Sequence, residues 1–279
     1  MPIYRPNELF AFLNDENLAP KKSLSQNFLI DGNIVRKIAD LAVIQPGDVV
    51  LEIGPGPGVL TEELLRRGAE VIAIEMDRGF ADKLKRFEGP LTILQEDVLE
   101  TDLENILMKV RKPVKVISNL PYHITTPIIV KLLSYRSMFS KIVVMVQEEV
   151  ARRFTGKPKT KDYSSITVFI SFFSHCTYGF KVKKSCFMPM PKVDSAVVVI
   201  EPSIPPLQEE KQRLFINLVR TAFNQRRKTL RSALNKLYPK ERIQMALENI
   251  CLNINARAEE LTLEEFLRLF HALLSIEEK

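Results

Sequence analysis

Asn119-Leu120-Pro121-Tyr122 directly follows the apolar run Val114, Val116, Ile117, which reads as a strand. Open α/β sheets place ligands at the C-terminal ends of parallel strands, and this loop offers acceptors beside an aromatic face. That pairing suits the exocyclic amine of a nucleobase. The lone pair of an adenine amino group is delocalised into the ring, so the nitrogen is a poor nucleophile until its pyramidal form is favoured. The Asn119 side-chain oxygen and a neighbouring backbone carbonyl, fixed in place, would hold the amine hydrogens as positive charge develops on nitrogen. Tyr122 would stack on the flat base, as enzymes acting on an extruded base require. The same residues also suit a plain strand-ending turn, since Asn and Pro both favour turns. What else the chain supplies decides between the two.

A second constellation is Glu52-Ile53-Gly54-Pro55-Gly56-Pro57-Gly58, between a strand over Val49 to Ile53 and a helix beginning near Leu60. Nucleotide-type cofactors bind at such a junction. A dinucleotide fingerprint needs a third glycine after Gly56-x-x, where this chain has Val59. Pro55 and Pro57 also remove two N–H donors from the turn, which makes it a poor pyrophosphate site. S-adenosylmethionine, which carries no phosphate, fits better. Glu75 lies 21 residues after Gly54 at the end of the second strand, where a carboxylate can accept both ribose hydroxyls. Asp97 follows the third strand as an acceptor for the cofactor's adenine amine, and Val98 could cover the ring. Ile74 and Met76 read as packing or wall residues.

These positions require strands alternating with helices. Strands are expected at Val49 to Ile53, Glu70 to Ile74, Leu91 to Leu94, Val114 to Ser118, Lys141 to Gln147, Ile166 to Phe173 and Ala196 to Glu201. Helical patterns fall at Ile34 to Ala42, Leu60 to Arg67, Gly79 to Arg86 and Leu103 to Val110, after a polar, Pro-containing lead. The fold class is therefore α/β, a doubly wound, mostly parallel Rossmann-like sheet. Prolines at 202, 205 and 206 place a domain boundary there, giving a 1–204 domain and a small all-helical 205–279 domain. In the latter Leu214, Leu218, Ala222, Leu230, Leu234 and Leu237 recur at helical spacing.

Charge points to the partner. Between Pro205 and Ile243 ten Lys/Arg stand against three acids, a net +7, while from Gln244 onward three basic and seven acidic residues give −4. A segment so selectively positive suits a polyanion, with Arg226, Arg227, Lys228 and Arg231 at its centre. A solvated helix face is the plainer use of such a run. Arg152, Arg153, Lys157, Lys159 and Lys161 form a second basic stretch, expected as a flexible loop. Cys176, Cys186 and Cys251 make no Cys-x-x-Cys pair, and His123, His175 and His271 are scattered, so neither a disulfide framework nor a metal site is expected. No apolar run of membrane-spanning length and no signal-peptide pattern occurs, which points to the cytoplasm.

Five motifs occur in order: Ser25-Gln26-Asn27-Phe28-Leu29, Glu52-Ile53-Gly54-Pro55-Gly56, Asn119-Leu120-Pro121-Tyr122, Phe187-Met188-Pro189-Met190-Pro191-Lys192-Val193-Asp194-Ser195 and Gln225-Arg226-Arg227-Lys228-Thr229-Leu230-Arg231. With them the chain closely resembles the rRNA adenine N6,N6-dimethyltransferase family of the KsgA type from about Lys21 to Leu274. The resemblance implies cofactor contacts at Asn27, Leu29, Gly54, Glu75, Asp97 and Asn119. It implies a catalytic loop of Asn119, Leu120, Pro121 and Tyr122, with Phe187 stacking on the other face of a flipped adenine. Family members often carry Asn where this chain has His123, for which no role as base is expected. The implied substrate is small-subunit rRNA in a pre-30S particle, modified at two adjacent adenosines by a monomeric enzyme. The rivals are a large-subunit rRNA adenine methyltransferase conferring macrolide resistance, and a non-catalytic RNA-binding assembly factor with the same fold.

Overall fold

A computed structural model of the chain describes residues 4–21, 24, 26–110 and 112–276. Ser25, first residue of the first motif, lies outside them, as do Lys22 and Ser23. The described strands are β1 (Phe28–Leu29), β2 (Val49–Ile53), β3 (Glu70–Ile74), β4 (Leu91–Leu94), β5 (Val114–Asn119), β6 (Phe139–Gln147), β7 (Ser174–Val182), β8 (Phe187–Met188) and β9 (Ser195–Pro202). Seven of them form one sheet in the order β4-β3-β2-β5-β6-β9-β7. The pairs β3/β4, β2/β3, β2/β5 and β5/β6 are parallel, and β6/β9 is antiparallel.

Helices cover this sheet, so its central strands are apolar on both sides. All five residues of β2 are buried, including Glu52, and six of the eight in β9 are buried. After β4 the chain returns past β2 to lay down β5, so the strand order reverses between β2 and β5. The crevice outside the carboxyl ends of those two strands is where a doubly wound sheet holds its ligand. The Ser118 hydroxyl donates to the Ile53 carbonyl across this gap and locks the two ends together.

β1 and β8 form a separate antiparallel pair, with Leu29 opposite Phe187 and Phe28 opposite Met188. It joins the first motif to the fourth. Residues 6–15, expected as polar lead, are instead a helix, Pro6–Asp15, with Pro6 in its first turn, where a missing N–H costs nothing. Its Leu9 and Leu13 pack with Phe28 and Phe80, whose rings meet edge to face at 5.1 Å.

The chain divides into two compact units. One runs to Ala151 and resumes over His175–Ser203; the other comprises Arg152–Ser174 and the chain from Ile204. Residues 152–174 thus cluster with the C-terminal helices, which a division at 204/205 does not anticipate. Within them Ile166 to Phe173, expected as a strand from its β-branched and aromatic residues, is the helix Ser165–Phe173. Ser164 opens it, its N–H donating to Thr167 Oγ1 at 3.0 Å. Such a run can be helical when burial surrounds it, because packing overrides β propensity. Phe172 stacks on Phe215 at 4.7 Å, and Phe270 meets Phe215 edge-on at 5.6 Å.

The helix Glu209–Phe223 buries Phe215, Leu218, Val219 and Ala222, so Leu218 and Ala222 lie on the core stripe as expected, whereas Leu214 is 53% exposed and Phe215 takes its place. Leu237 is likewise exposed. Thr262 and Glu265 cap the last helix, Leu263–Ser275, by exchanging bonds with each other's backbone N–H. No helix among the described residues is long and apolar enough to cross a membrane.

Candidate active site

The crevice at the strand-order reversal holds a cavity of about 340 Å³. It is lined by residues from every strand end named above: Asn27 and Leu29, Gly54, Glu75, Asp97 and Val98, and Asn119, Leu120, Pro121 and Tyr122. Ten expected cofactor and catalytic residues are thereby brought together. Phe187 is not among them. It is 2% exposed and packs in the core with Leu29, Val35 and Ile38, so its ring is not presented for stacking in this arrangement. The register of β1 with β8 explains this, because Phe187 is the partner of the buried Leu29.

The glycine turn is built without a free donor. Gly54 N–H bonds the Ile74 carbonyl at 2.8 Å, Gly58 N–H bonds the Pro55 carbonyl at 3.0 Å, and Gly56 N–H bonds Glu75 Oε2 at 2.9 Å. Pro55 and Pro57 have none to offer. Within the turn itself, from Gly54 to Gly58, no N–H is left for a phosphate. Gly56 is required as glycine: its φ is +56°, and a Cβ there would meet the Phe28 ring at 3.0 Å. Beneath the turn Arg86 donates to the Pro57 carbonyl at 2.5 Å and lies over the Phe87 ring at 4.2 Å.

Glu75 is 5% exposed. Its Oε1 accepts the Asp77 N–H at 2.8 Å while Oε2 holds Gly56. Burial raises its pKa against the lowering effect of those two bonds. Each oxygen keeps a second lone pair for a hydroxyl. Asp97 Oδ1 accepts the Leu99 N–H at 2.8 Å, which fixes the carboxylate, and the neighbouring Val98 is buried.

The catalytic loop is anchored at three points. Leu120 N–H bonds the Met145 carbonyl at 3.1 Å, Tyr122 Oη lies 2.7 Å from the hydroxyl of fully buried Ser195, and Asn119 Nδ2 donates to the Asn27 carbonyl at 3.1 Å. A carbonyl can only accept, so the nitrogen end of the Asn119 amide must face Asn27 and the oxygen end must face away. That oxygen, Asn119 Oδ1, is buried and has no partner among the described residues. Buried acceptors are rarely left unmade, and Asn119 is among the residues that line the cavity. Burial raises the Tyr122 pKa despite the bond to Ser195, so its ring is neutral at physiological pH and suited to stacking.

Three contributors escaped the sequence reading. Asp77 accepts from Gly79 N–H at 3.0 Å and pairs with Lys21 at 2.8 Å, and Gln26 reaches it at 3.4 Å. Burial alone would raise its pKa, but the bonds from Lys21 and Gln26 more than offset that and lower it. It ties the segment carrying Asn27 to the end of β3. Ser195, quoted only as the end of a motif, fixes the Tyr122 ring. Glu52 had a motif but no role; it is 1% exposed and accepts the Thr61 hydroxyl at 2.6 Å.

Burial pushes the Glu52 carboxyl up to about 8, against the Thr61 bond and with a smaller rise from Glu75. The folded chain therefore keeps this proton through pH 7, whereas the unfolded chain loses it near the ordinary carboxyl value of 4.5. The unfolded state binds fewer protons in between, so stability falls as pH rises from about 4.5 to about 8. Glu52→Gln keeps an acceptor for Thr61 and removes that slope. Denaturant titrations of the cofactor-free proteins should show the variant gaining on the parent by a few kcal/mol, roughly, between pH 5 and pH 8. Identical slopes for both proteins would contradict a neutral Glu52.

Comparison with known proteins decides the family. The family model described as ribosomal RNA adenine dimethylase matches residues 17–274. The chain belongs to that family. A curated relative, ribosomal RNA small subunit methyltransferase A of Protochlamydia amoebophila (strain UWE25), is 52% identical over 284 residues, covering 99% of each chain. Among solved structures, a dimethyladenosine transferase from Plasmodium falciparum is similar with a TM-score of 0.73 and 30% identity, covering 90% of this chain and 98% of that one. The 23S rRNA methyltransferase ErmE is similar with a TM-score of 0.69 and 29% identity, covering 88% and 99%.

The site fits the S-adenosylmethionine that a methyltransferase of this family implies. A phosphate-free turn, a carboxylate at the end of β3 and a cavity within the ordinary ligand range of about 300–1,000 Å³ suit a nucleoside cofactor without phosphates. Among the described residues no cluster of His, Cys, Asp and Glu is arranged to hold a metal ion.

The basic residues of the second unit are not all alike. Arg227 and Lys228 are exposed. Arg226, also exposed, is held by Glu259 at 2.7 Å and by the Lys161 carbonyl at 3.0 Å. Arg231 is half-buried, and its Nε is enclosed without a partner among the described residues.

Proposed function

We propose that this chain transfers methyl groups from S-adenosylmethionine to the N6 amines of two adjacent adenosines in the 3′-terminal hairpin of small-subunit (16S) rRNA, giving N6,N6-dimethyladenosines. The observation that carries the reading is the buried Asn119 Oδ1, without a partner among the described residues, on a residue that lines the cavity together with Tyr122. An acceptor held in advance by the Asn27 tether needs no reorganisation when charge develops on the target nitrogen.

When bound, the cofactor supplies an electrophilic methyl on a cationic sulfur. Gly54, Glu75, Asp97, Val98, Asn27 and Leu29 would hold it. Asn119 Oδ1 and the Leu120 carbonyl grip the two amine hydrogens, which favours the pyramidal nitrogen and aligns it for in-line attack. Pro121 shapes the turn between them, and Tyr122, its ring fixed by Ser195, stacks on the extruded base. In Phe187 the second stacking face would come only with a shift of β8, which carries it. The second methylation requires the singly methylated amine to return with its methyl turned away from the acceptors.

The unit to Ser203 is read as the methyltransferase domain, and the helical unit from Ile204, with Arg152–Ser174, as the RNA-binding part. Arg227, Lys228 and the half-buried Arg231 face the polyanion. A monomer acting in the cytoplasm on a pre-30S particle completes the reading. The 52% identity to a small-subunit methyltransferase favours it over the large-subunit alternative, since ErmE is only 29% identical. The intact acceptor loop argues against a non-catalytic factor. The test offers the purified protein unmethylated small and large ribosomal subunits and maps modified adenosines by mass. Methylation confined to two neighbouring adenosines near the small-subunit 3′ end is expected; methylation of large-subunit rRNA alone would overturn the reading.

A further inference from the structure

Of the basic stretch expected as a flexible loop, Arg152 and Arg153 lie instead in the helix Glu148–Phe154, and Lys157, Lys159 and Lys161 fall in the following segment from Thr155 to Tyr163. It is pinned throughout within its own unit. Lys159 N–H bonds the Glu259 carbonyl at 2.8 Å, and Thr160 Oγ1 bonds the Lys157 carbonyl at 2.7 Å. Buried Tyr163 donates to the Leu261 carbonyl at 2.7 Å and meets the Phe223 ring edge-on at 5.9 Å. Gly156 lies so near the backbone of Asp162 that a Cβ would sit 3.0 Å from its carbonyl.

Arg226 completes the attachment. Its Nε bonds Glu259 Oε2 at 2.7 Å and its Nη2 bonds the Lys161 carbonyl at 3.0 Å. Two donors of its planar fork are thus spent inside the protein, and its charge is partly cancelled by a carboxylate. By contrast Lys157, Lys159, Lys161, Arg227 and Lys228 are exposed, and among the described residues none of these five has an ion-pair partner. An acid such as Glu259 is adverse on a surface meant for a polyanion unless it has another task.

We propose that Arg226 and Glu259 form a clamp that sets Lys157, Lys159 and Lys161 beside Arg227 and Lys228 as one preformed cationic surface for an RNA phosphate backbone, with Arg226 a positioning residue and not itself a phosphate contact. The inference rests on the reading of this chain as an rRNA methyltransferase for the identity of the polyanion. Ordering a loop and its side chains on binding costs affinity, and a loop ordered beforehand avoids that cost. The number of phosphates neutralised sets how steeply binding falls with salt.

The clamp reverses the sign that simple Coulomb attraction gives. Glu259→Ala removes a negative charge, so attraction alone would tighten RNA binding. The clamp weakens it instead, by about 3- to 10-fold. Glu259→Gln, which keeps an acceptor for Arg226, restores it. The measurement is binding of the full chain to a 16S 3′-terminal hairpin and to an unrelated RNA duplex across a salt series, with amide exchange at Lys159 and cofactor affinity followed alongside. Exchange at Lys159 should speed up in Glu259→Ala and Arg226→Ala, with cofactor affinity unchanged. Replacing Lys157, Lys159 and Lys161 together by Ala should lower the magnitude of the log–log salt slope by about 2. Tighter or unchanged binding by Glu259→Ala, or a parental slope in the triple variant, overturns the clamp. Should methyl transfer to rRNA be absent while these effects persist on the duplex, the surface stands and the assigned substrate falls.

Discussion

Asn119→Ala is expected to lower the single-turnover rate of methyl transfer by about 10²- to 10³-fold, the loss that follows removal of one preorganised polar group aimed at developing charge. The argument rests on the two ends of one amide. Nδ2 is committed to the Asn27 carbonyl, and Oδ1 is buried with no donor to accept from among the described residues. Alanine removes the acceptor and the tether together. The rate must therefore be compared with cofactor affinity measured on the same protein, because the tether reaches the segment that lines the cofactor cavity. The Asn119→Asp variant separates the two. A carboxylate keeps an acceptor for the amine but cannot donate to Asn27, so it should lose cofactor affinity and retain more of the rate at saturating cofactor than alanine does. A rate unchanged in Asn119→Ala under saturating conditions would remove the acceptor from the mechanism.

Glu75→Ala should reduce S-adenosylmethionine affinity by about 10²-fold or more. Its two oxygens hold the buried N–H groups of Gly56 and Asp77. Stranding a buried donor costs about 1–3 kcal/mol, and here there are two. The loss falls on the glycine turn itself, whose Gly56 adopts a left-handed φ beside the Phe28 ring. The acceptor for the ribose hydroxyls disappears in the same step. Titration calorimetry with S-adenosylmethionine and with the demethylated cofactor should show equal losses for both, since this carboxylate does not face the reacting methyl. Parental affinity in Glu75→Ala would contradict the placement of the cofactor at the β3 end.

Strand ends were legible in the sequence because their chemistry and period agree. Apolar runs, each followed by Gly54, Glu75, Asp97 or Asn119, describe a parallel sheet and its crevice with no further information. Ile166 to Phe173 was not legible, because β-branched and aromatic residues favour a strand until aromatic partners far along the chain, Phe215 and Phe270, surround them. Pro6–Asp15 was missed for a related reason: its two buried leucines make a weak pattern until Phe28 and Phe80 supply the other half of their core.

Within the site the directly acting groups could be read, whereas the groups that hold them could not. Asp77, Ser195 and the Asn27 carbonyl act through bonds to residues tens of positions away, and local spacing carries no trace of those pairings. Phe187 is the converse case. Its motif suggested a stacking ring, yet the register of β1 with β8 turns it into the core. Arg226 was indistinguishable from Arg227 in a run of like charges until Glu259 and the Lys161 carbonyl claimed it.

The most direct test of the account asks which atom receives the methyl. Unmethylated small subunits are incubated with the purified protein and isotopically labelled S-adenosylmethionine, the rRNA is digested to nucleosides, and the labelled species are separated by mass and retention. An acceptor pair gripping an exocyclic amine predicts N6-methyl- and then N6,N6-dimethyladenosine as the labelled products. Label on a ring nitrogen or on a ribose 2′-hydroxyl would contradict the role given to Asn119.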